Sequence, residues 1–272
     1  MLMTTLLKVG GSILNDGLSE EIVNDLKNLS NKENFVIVHG GGKEVTSIAE
    51  KLGKKQQFIV SPKGIRSRYT DLETAEIFTM VMVGKLNKNI VLKLNKAGIK
   101  AVGLCGLDGL LLRAKRKHKL VIIDEKTNRK RAIEGGYTGK IHSINESLLT
   151  DLISSGYIPV ISPVATGENF EQLNIDADRT ASFIGSKLKA DRIIYLTDVD
   201  GIEHNGGLIQ TINLNTAREL LPQMGYGMEK KLLSSLEALD SNVKEIIIAS
   251  GLKNTPISEA FEHKNCTVIL NE

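Results

Sequence analysis

Two apolar runs of the chain end in glycines. Leu6-Leu-Lys-Val-Gly-Gly-Ser puts Gly10 and Gly11 just beyond a strand-like segment, with Lys8 two residues upstream of Gly10. Phe35-Val-Ile-Val-His-Gly-Gly-Gly puts Gly40, Gly41 and Gly42 between a strand-like and a helical segment. Glycine allows positive φ and lets backbone N–H groups approach a ligand closely. A glycine turn that feeds a helix also gathers unpaired donors at the positive end of the dipole, which suits phosphate. Singly, each run reads as a tight loop. Two at equivalent strand ends, one beside a lysine, point to phosphate binding. Neither is a Walker A loop: Gly42-Lys43 is followed by Glu44, and Ile37 stands where the first glycine belongs. No Gly-x-Gly-x-x-Gly fingerprint occurs.

Three further segments carry candidate chemistry. Leu173-Asn-Ile-Asp-Ala-Asp-Arg gathers Asn174, Asp176 and Asp178 where a helix begins, and Asp176 reads equally as a cap or as a functional acid. Leu196-Thr-Asp-Val-Asp-Gly follows a strand and suits either a nucleotide or a plain turn. Gly227-Met-Glu-Lys-Lys opens a helix with Lys231 beside its apolar stripe, where a lone lysine reads as solvated. The histidines (39, 118, 142, 204 and 263) are scattered, and Cys105 and Cys266 have no zinc spacing. They fit a reduced protein better than a disulfide scaffold.

The elements that would position these residues alternate. Strands are expected at Thr5–Val9, Phe35–His39, Lys100–Cys105, Ile158–Ser162, Arg192–Leu196, Glu245–Ala249 and Cys266–Leu270. Helical patterns cover Ser19–Leu29, Lys43–Leu52, Ala177–Leu188 and a stretch from Gly227 with Met228, Leu232, Leu236 and Leu239 in one stripe. Thr70 with Glu73 and Ser143 with Glu146 read as capping boxes. The first opens a long helix toward Ala97, broken near Gly84. Leu111–Ile133 reads as a charged β-meander, and a short hairpin is expected near His204–Ile209. Pro163-Val-Ala-Thr-Gly reads as a turn-rich connection and a lobe boundary. Such alternation implies a mainly parallel sheet covered on both faces, with ligands beyond the carboxyl ends of its strands.

At 272 residues, 41% apolar and 25% charged, the chain can bury an ample core without staples. No apolar run approaches the roughly 18 residues of a membrane span. The start does not read as a signal peptide, so a cytoplasmic protein without membrane association is expected. The net charge of +3 hides an asymmetry. Arg113–Arg131 holds nine Lys/Arg against Asp124 and Glu125, and Lys51–Arg68 holds six with no acid. Two such segments favour an anionic macromolecular partner. Residues 113–136 lack aromatics for base stacking and no nucleic-acid motif is present, so an acidic protein is the better expectation.

In order along nearly the whole chain, these segments resemble the amino-acid kinase family, carboxylate phosphotransferases related to N-acetylglutamate kinase. The resemblance rests on Lys8-Val-Gly-Gly-Ser, His39-Gly-Gly-Gly, Arg68-Tyr-Thr-Asp, Gly84-Lys-Leu-Asn-Lys, Gly103-Leu-Cys-Gly-Leu-Asp-Gly, Ile158-Pro-Val-Ile-Ser-Pro, Asn174-Ile-Asp-Ala-Asp, Leu196-Thr-Asp-Val-Asp-Gly and Gly227-Met-x-x-Lys231. It implies an α/β/α three-layer sandwich, with the amino-acid substrate on an N-terminal lobe (1–165) and ATP on a C-terminal lobe (166–272). By the same resemblance, Lys8 and Lys231 neutralise the moving phosphoryl group and Asp178 holds the lysines. The amides of Gly10, Gly11, Gly41 and Gly42 cradle the phosphoryl group and substrate. Arg68 grips a carboxylate and Asn174 positions the amino-acid moiety. ATP, with Mg²⁺ on its phosphates, lies near Thr197, Asp198, Gly201, Ser250 and Gly251, no protein metal site being implied. A carboxylate is already ionised at neutral pH and needs no general base, so in-line positioning and charge neutralisation suffice.

Departures from N-acetylglutamate kinase refine the expectation. The segment Gly64-Ile-Arg-Ser-Arg-Tyr-Thr-Asp71 is two residues longer than that enzyme's pattern, which leaves Arg66 and Arg68 as rivals, with Arg68 preferred. Asp176 replaces the usual asparagine, and the basic stretch 113–131, ending in Gly135-Gly-Tyr-Thr-Gly-Lys140, is unusual for an acetylated substrate. These features resemble the kinases acting on 2-aminoadipate or glutamate attached through the amino group to the acidic carrier LysW. The resemblance implies carrier docking on 51–68 and 113–131, a homodimer, and lysine or arginine biosynthesis. The alternatives are N-acetylglutamate kinase itself and a non-catalytic nucleotide- or nucleic-acid-binding regulator on the same fold.

Overall fold

The computed structural model describes residues 2–14, 17–62, 64–124, 127–225, 227–241 and 243–271. Lys63, Glu125 and Lys126 of the two basic segments lie outside the described residues. In chain order the elements are β1 (Met3–Val9), α1 (Glu20–Leu29), β2 (Glu33–His39), α2 (Gly42–Lys51), β3 (Phe58–Val60), β4 (Arg66–Arg68), α3 (Leu72–Thr79), a π-helical segment (Met80–Leu86), α4 (Asn87–Lys96) and β5 (Ala101–Cys105). They continue through β6 (Leu112–Arg116), β7 (Lys119–Ile123), β8 (Lys130–Glu134), β9 (Gly139–Ile144), α5 (Glu146–Ser154), β10 (Ile158–Ser162), β11 (Val164–Thr166) and β12 (Gln172–Asn174). The rest comprises α6 (Ala177–Lys187), β13 (Arg192–Thr197), the hairpin β14 (Glu203–His204) and β15 (Gly207–Leu208), β16 (Thr211–Asn213), α7 (Leu214–Leu220), α8 (Met228–Leu239), β17 (Glu245–Ser250), α9 (Pro256–Phe261) and β18 (Cys266–Leu270).

Among the described residues an eight-stranded sheet runs β16-β18-β17-β13-β1-β2-β10-β5, parallel except where β17 meets β18. Its strands are apolar on both faces because helices cover both. Leu6, Val36, Val38, Ile193, Tyr195 and Ile246 turn to the side of α6 and α8. Leu7, Phe35, Ile37, Ile194 and Ile247 turn to the side of α1, α4 and α9. The result is the mainly parallel sheet covered on both faces that the alternation implies, and with it the α/β/α three-layer sandwich that the family resemblance implies. A smaller sheet, β12-β11-β6-β9, and the ribbons β3–β4 and β7–β8 stand outside it. No described helix is long and apolar enough to cross a membrane. Both cysteines are free and buried.

Four local expectations change. The first two concern caps. The helix after residue 70 is capped by Asp71, whose side chain accepts from the Thr74 amide at 2.8 Å, while Thr70 is buried and used elsewhere. Likewise Asn145, not Ser143, caps α5. The third is the break near Gly84: α3 passes through the π-helical segment into α4, and a side chain at Gly84 would meet open space, so nothing there stops the helix. Finally, Val164–Thr166 is a buried strand rather than a turn-rich connection, because it pairs with both β12 and β6. The expected lobe boundary at 165/166 therefore falls inside β11.

Candidate active site

The two glycine turns lie back to back at the carboxyl ends of β1 and β2. A Cβ on Gly11 would sit 2.6 Å from the Gly41 nitrogen, and one on Gly40 would sit 2.8 Å from the Gly11 nitrogen. Gly41 has φ +151°, and a side chain there would strike Leu86 Cδ1 at 2.1 Å. The amides divide by role. Gly10 donates to the Leu196 carbonyl and Gly40 to the Val9 carbonyl, each at 2.8 Å, so the sheet ladder consumes the first amide of each run. This corrects the expectation for Gly10: its amide is not available to a phosphoryl group. Among the described residues, the amides of Gly11, Gly41 and Gly42 have no backbone or side-chain acceptor, and all three residues line a cleft of about 1210 Å³.

Lys8 projects from β1 on the side facing α6, and its ammonium lies 2.7 Å from Asp178 in the first turn of that helix. Both are buried, at 5% and 8% exposure, so the pair is shielded from screening by solvent. Burial alone would raise the Asp178 carboxyl, but Lys8 and then Lys231 outweigh it and hold the group below the usual carboxylate range. Lys231, in the first turn of α8, is pushed down chiefly by burial, with Lys8 adding to the effect and Asp178 and Asp198 opposing it. Two lysines from distant parts of the chain thus act on one carboxylate, Lys8 as its ion-pair partner and Lys231 through its charge, the Lys231 ammonium itself lying 3.5 Å from the Gly227 carbonyl. Asp176, which read equally as cap or functional acid, caps α6 by accepting from the Arg179 amide at 3.1 Å.

The frame beneath this cluster is hydrogen-bonded across elements. Ser182, one turn below Asp178, donates its single hydroxyl hydrogen to the Ser234 carbonyl of α8 at 2.6 Å. The buried Tyr195 hydroxyl in turn donates to Ser182 at 2.7 Å. This ties α6, α8 and β13 together and so fixes the separation of the Asp178 and Lys231 backbones.

On the opposite wall, Arg68 donates to the Gly42 carbonyl and to Thr46 Oγ1, each at 2.8 Å, and also to Gln56 Oε1. Arg66 stacks over Phe58 with its guanidinium carbon 4.0 Å from the ring centroid. Both arginines line the cleft, so geometry leaves both beside it, with Arg68 the more firmly positioned. Asn174 donates to Thr70 Oγ1 at 3.0 Å and also lines the cleft.

The five residues expected near a nucleotide gather at the neighbouring ends of β13 and β17, but do not line that cleft. Thr197 pairs with Ser250 in register, and the Gly251 amide donates to the Thr197 carbonyl at 2.7 Å. Burial would raise the Asp198 carboxyl, but its own backbone amide, then Thr197 Oγ1, from which it accepts at 3.0 Å, and then Ser12 hold it below its ordinary value. A side chain on Gly201 would strike Thr267 Oγ1 at 2.4 Å. The Asp198 contact with Ser12 and its electrostatic attraction to Lys231 link this group to the lysine cluster. Sequence reasoning missed Ser12, Thr46, Gln56 and Lys230, whose ammonium donates to the Arg66 carbonyl at 2.8 Å. Polar residues holding other polar residues leave no spacing signal.

Paired glycine turns and a buried lysine–carboxylate pair on an α/β/α sheet are the parts a phosphotransferase of the carboxylate-kinase type requires. The profile of the Amino acid kinase family matches residues 3–250, and the chain belongs to that family. It is 41% identical to the LysW-aminoadipate/LysW-glutamate kinase of Saccharolobus solfataricus, covering 97% of this chain and 98% of that one. Relatives from Nitrosopumilus maritimus (49%, covering 98% and 99%) and Cenarchaeum symbiosum (51%, covering 97% and 98%) carry the same name provisionally. Among solved structures, the fold matches an N-acetylglutamate synthase from Neisseria gonorrhoeae (TM-score 0.81, 20% identity, 99% of this chain and 60% of that one). It also matches a carbamate kinase from Giardia lamblia bound to AMP-PNP (TM-score 0.71, 14% identity, 100% and 99%).

Proposed function

We propose that the chain transfers the γ-phosphoryl group of ATP to the side-chain carboxylate of L-2-aminoadipate or L-glutamate carried on a small acidic LysW-like protein, giving an acyl phosphate for lysine or arginine biosynthesis. The observation that carries this reading is the buried Lys8–Asp178 ion pair, with Lys231 acting on the same carboxylate, where Asp178 and the open amides of Gly11, Gly41 and Gly42 line one cleft. A phosphoryl group in flight spreads negative charge over its equatorial oxygens, and fixed ammonium groups and amide dipoles stabilise that charge without reorganising. Asp178 keeps the two lysines from repelling each other apart before the nucleotide arrives. The donor set is cationic and amidic, which fits phosphate oxygens, and Mg²⁺ bound to the nucleotide would supply further charge neutralisation. Arg68, from the 1–165 part that also serves a homodimer contact, and Asn174, reaching in from the 166–272 part, hold the substrate's amino-acid end. Thr197, Asp198, Gly201, Ser250 and Gly251 form the nucleotide side in the 166–272 part.

The basic segments favour a carrier over an acetyl group as the amino mask. Ile65, Arg66 and Arg68 from one, and Lys117, Leu120 and Ile122 from the other, wall the same cleft. An acidic protein docked there would deliver its C-terminal substrate toward the glycine turns. Steady-state kinetics with carrier-bound aminoadipate, carrier-bound glutamate and free N-acetylglutamate test this. Preference for a carrier-bound substrate is expected, with an apparent KM that rises with salt as exposed ion pairs are screened. Preference for N-acetylglutamate refutes the carrier assignment and leaves the kinase.

A further inference from the structure

His39 is fully buried beneath the second glycine turn, where the mechanism above gives it no task. Its Nδ1 lies 2.8 Å from the Gly40 carbonyl, and its Nε2 lies 2.9 Å from Ser162 Oγ and 3.4 Å from Asn87 Nδ2. A carbonyl oxygen only accepts, so the proton sits on Nδ1 and Nε2 is an acceptor. Asn87 has two amide hydrogens. One goes to the Val160 carbonyl at 2.9 Å, leaving the other for His39 Nε2. Ser162 also lies 3.2 Å from the Met82 carbonyl, which receives the Asn87 backbone amide in the π-helical segment. The neutral ring is thus matched on both edges. Burial, aided by Lys8, pushes its pKa down to about 4 against the opposing Gly40 bond.

The consequence lies in the peptide joining Gly40 to Gly41. A trans peptide is planar, and its C=O and N–H point in opposite directions. Drawing the Gly40 oxygen down onto His39 therefore aims the Gly41 N–H up, toward the cleft. Gly41 has no side chain to resist rotation of that plane, and its Cα is hemmed by Leu86 and Met82 rather than bonded to them. We infer that His39 is a positioning residue that locks the Gly40–Gly41 peptide so that the Gly41 amide faces the transferred group, with Asn87 and Ser162 selecting its tautomer. This gives a purpose to two motifs otherwise without one, Gly84-Lys-Leu-Asn-Lys and Ile158-Pro-Val-Ile-Ser-Pro: they supply Asn87 and Ser162 to the imidazole. The inference rests on Gly41 acting as a donor in the proposed phosphoryl transfer.

The test compares wild type, H39L, H39N and S162A. Leucine removes both ring contacts; asparagine restores an N–H donor close to the Nδ1 position. With kcat taken per folded molecule, H39L is expected to lose about 100-fold, as for removal of one oxyanion donor. H39N is expected to recover at least a tenth of wild-type kcat, with KM for ATP moving far less than kcat in both. A merely structural role would lower Tm without this kcat split or its rescue. H39L retaining kcat within threefold of wild type, or H39N no better than H39L, overturns the inference. If H39L does not fold, S162A carries the kinetic arm, with a smaller kcat loss expected and none overturning it. Ring ¹⁵N shifts of His39 in the wild-type protein at pH 7 stand apart from turnover: protonated Nδ1 with bare Nε2 supports the inference, and the reverse tautomer or an imidazolium overturns it. Absence of wild-type turnover on every carboxylate substrate would instead refute the proposed function, leaving His39 to be judged by its tautomer.

Discussion

Lowering the pH should destabilise this protein through one identifiable imidazole, well before its depressed carboxylates respond. His39 is fully buried, and its pKa falls from 6.5 to about 4, chiefly because burial penalises the charged ring. The unfolded chain therefore binds this proton more tightly than the folded one. The neutral ring's stabilising contribution is fully present above about pH 6.5 and is lost as pH falls toward 4. At 1.36 kcal/mol per pKa unit the whole effect is about 3 kcal/mol, of which about 2 kcal/mol has gone by pH 5. The carboxyls of Asp178, Asp71, Asp191 and Asp198 are depressed below 3.8, so their stabilising effect disappears only under more acidic conditions.

The assay is urea unfolding of wild type and H39N at pH 8 and pH 5, using the difference between the two chains. Asparagine does not titrate, so contributions from the other histidines cancel in the comparison. Wild type should lose about 2 kcal/mol more than H39N between the two pH values. Equal losses would mean that His39 is not held neutral, and with that the matched acceptor role of Nε2 falls.

Other perturbations probe the same architecture. Lys8→Ala should reduce kcat by at least about 100-fold, as removal of fixed charge-stabilising donors does. Circular dichroism should show the fold retained, and unchanged turnover would refute the role given to Lys8. Gly41→Ala must accommodate φ +151° and a Cβ 2.1 Å from Leu86 Cδ1, so both Tm and kcat should fall, and wild-type values of both would refute the tight approach. Asp25 lies far from the site in α1, yet its buried carboxylate accepts from the Ile257 and Ser258 amides at 2.7 and 2.9 Å, capping α9 across the structure. Asp25→Ala should cost about 3 kcal/mol in denaturant unfolding because two buried donors lose a charged acceptor, with kcat per folded molecule unchanged.

The fold was legible because its signal is redundant. Every central strand is a short apolar run, and each repeats the same message of burial on both faces. The caps were less so, since Thr70 and Asp71 are adjacent and each has the chemistry to end a helix. Only the packing of Thr70 against Asn174 and Tyr137 decides between them. Gly84 was misleading for a different reason. Glycine weakens a helix by about 1 kcal/mol, an amount that packing on both sides readily overrides. The helix widens into a π turn there rather than stopping, and that widening supplies Asn87 to His39.

The glycine runs show where sequence reasoning about the site ended and what would have carried it further. Composition alone treats Gly10 and Gly11 as equivalent phosphate donors. A parallel ladder, however, continues one residue past the last side chain that packs in it. The first glycine after each strand is thus the one whose amide the neighbouring strand takes, Leu196 for Gly10 and Val9 for Gly40. The next amide is the first one free to turn outward, and at Gly41 it must be turned by something that holds the preceding carbonyl. The residue before Gly40 is the nearest side chain able to reach that carbonyl, and a histidine there can donate to it while accepting from behind. A histidine closing a buried strand before a glycine run is therefore evidence about backbone orientation, even where it has no spacing that suggests a metal or a nucleophile.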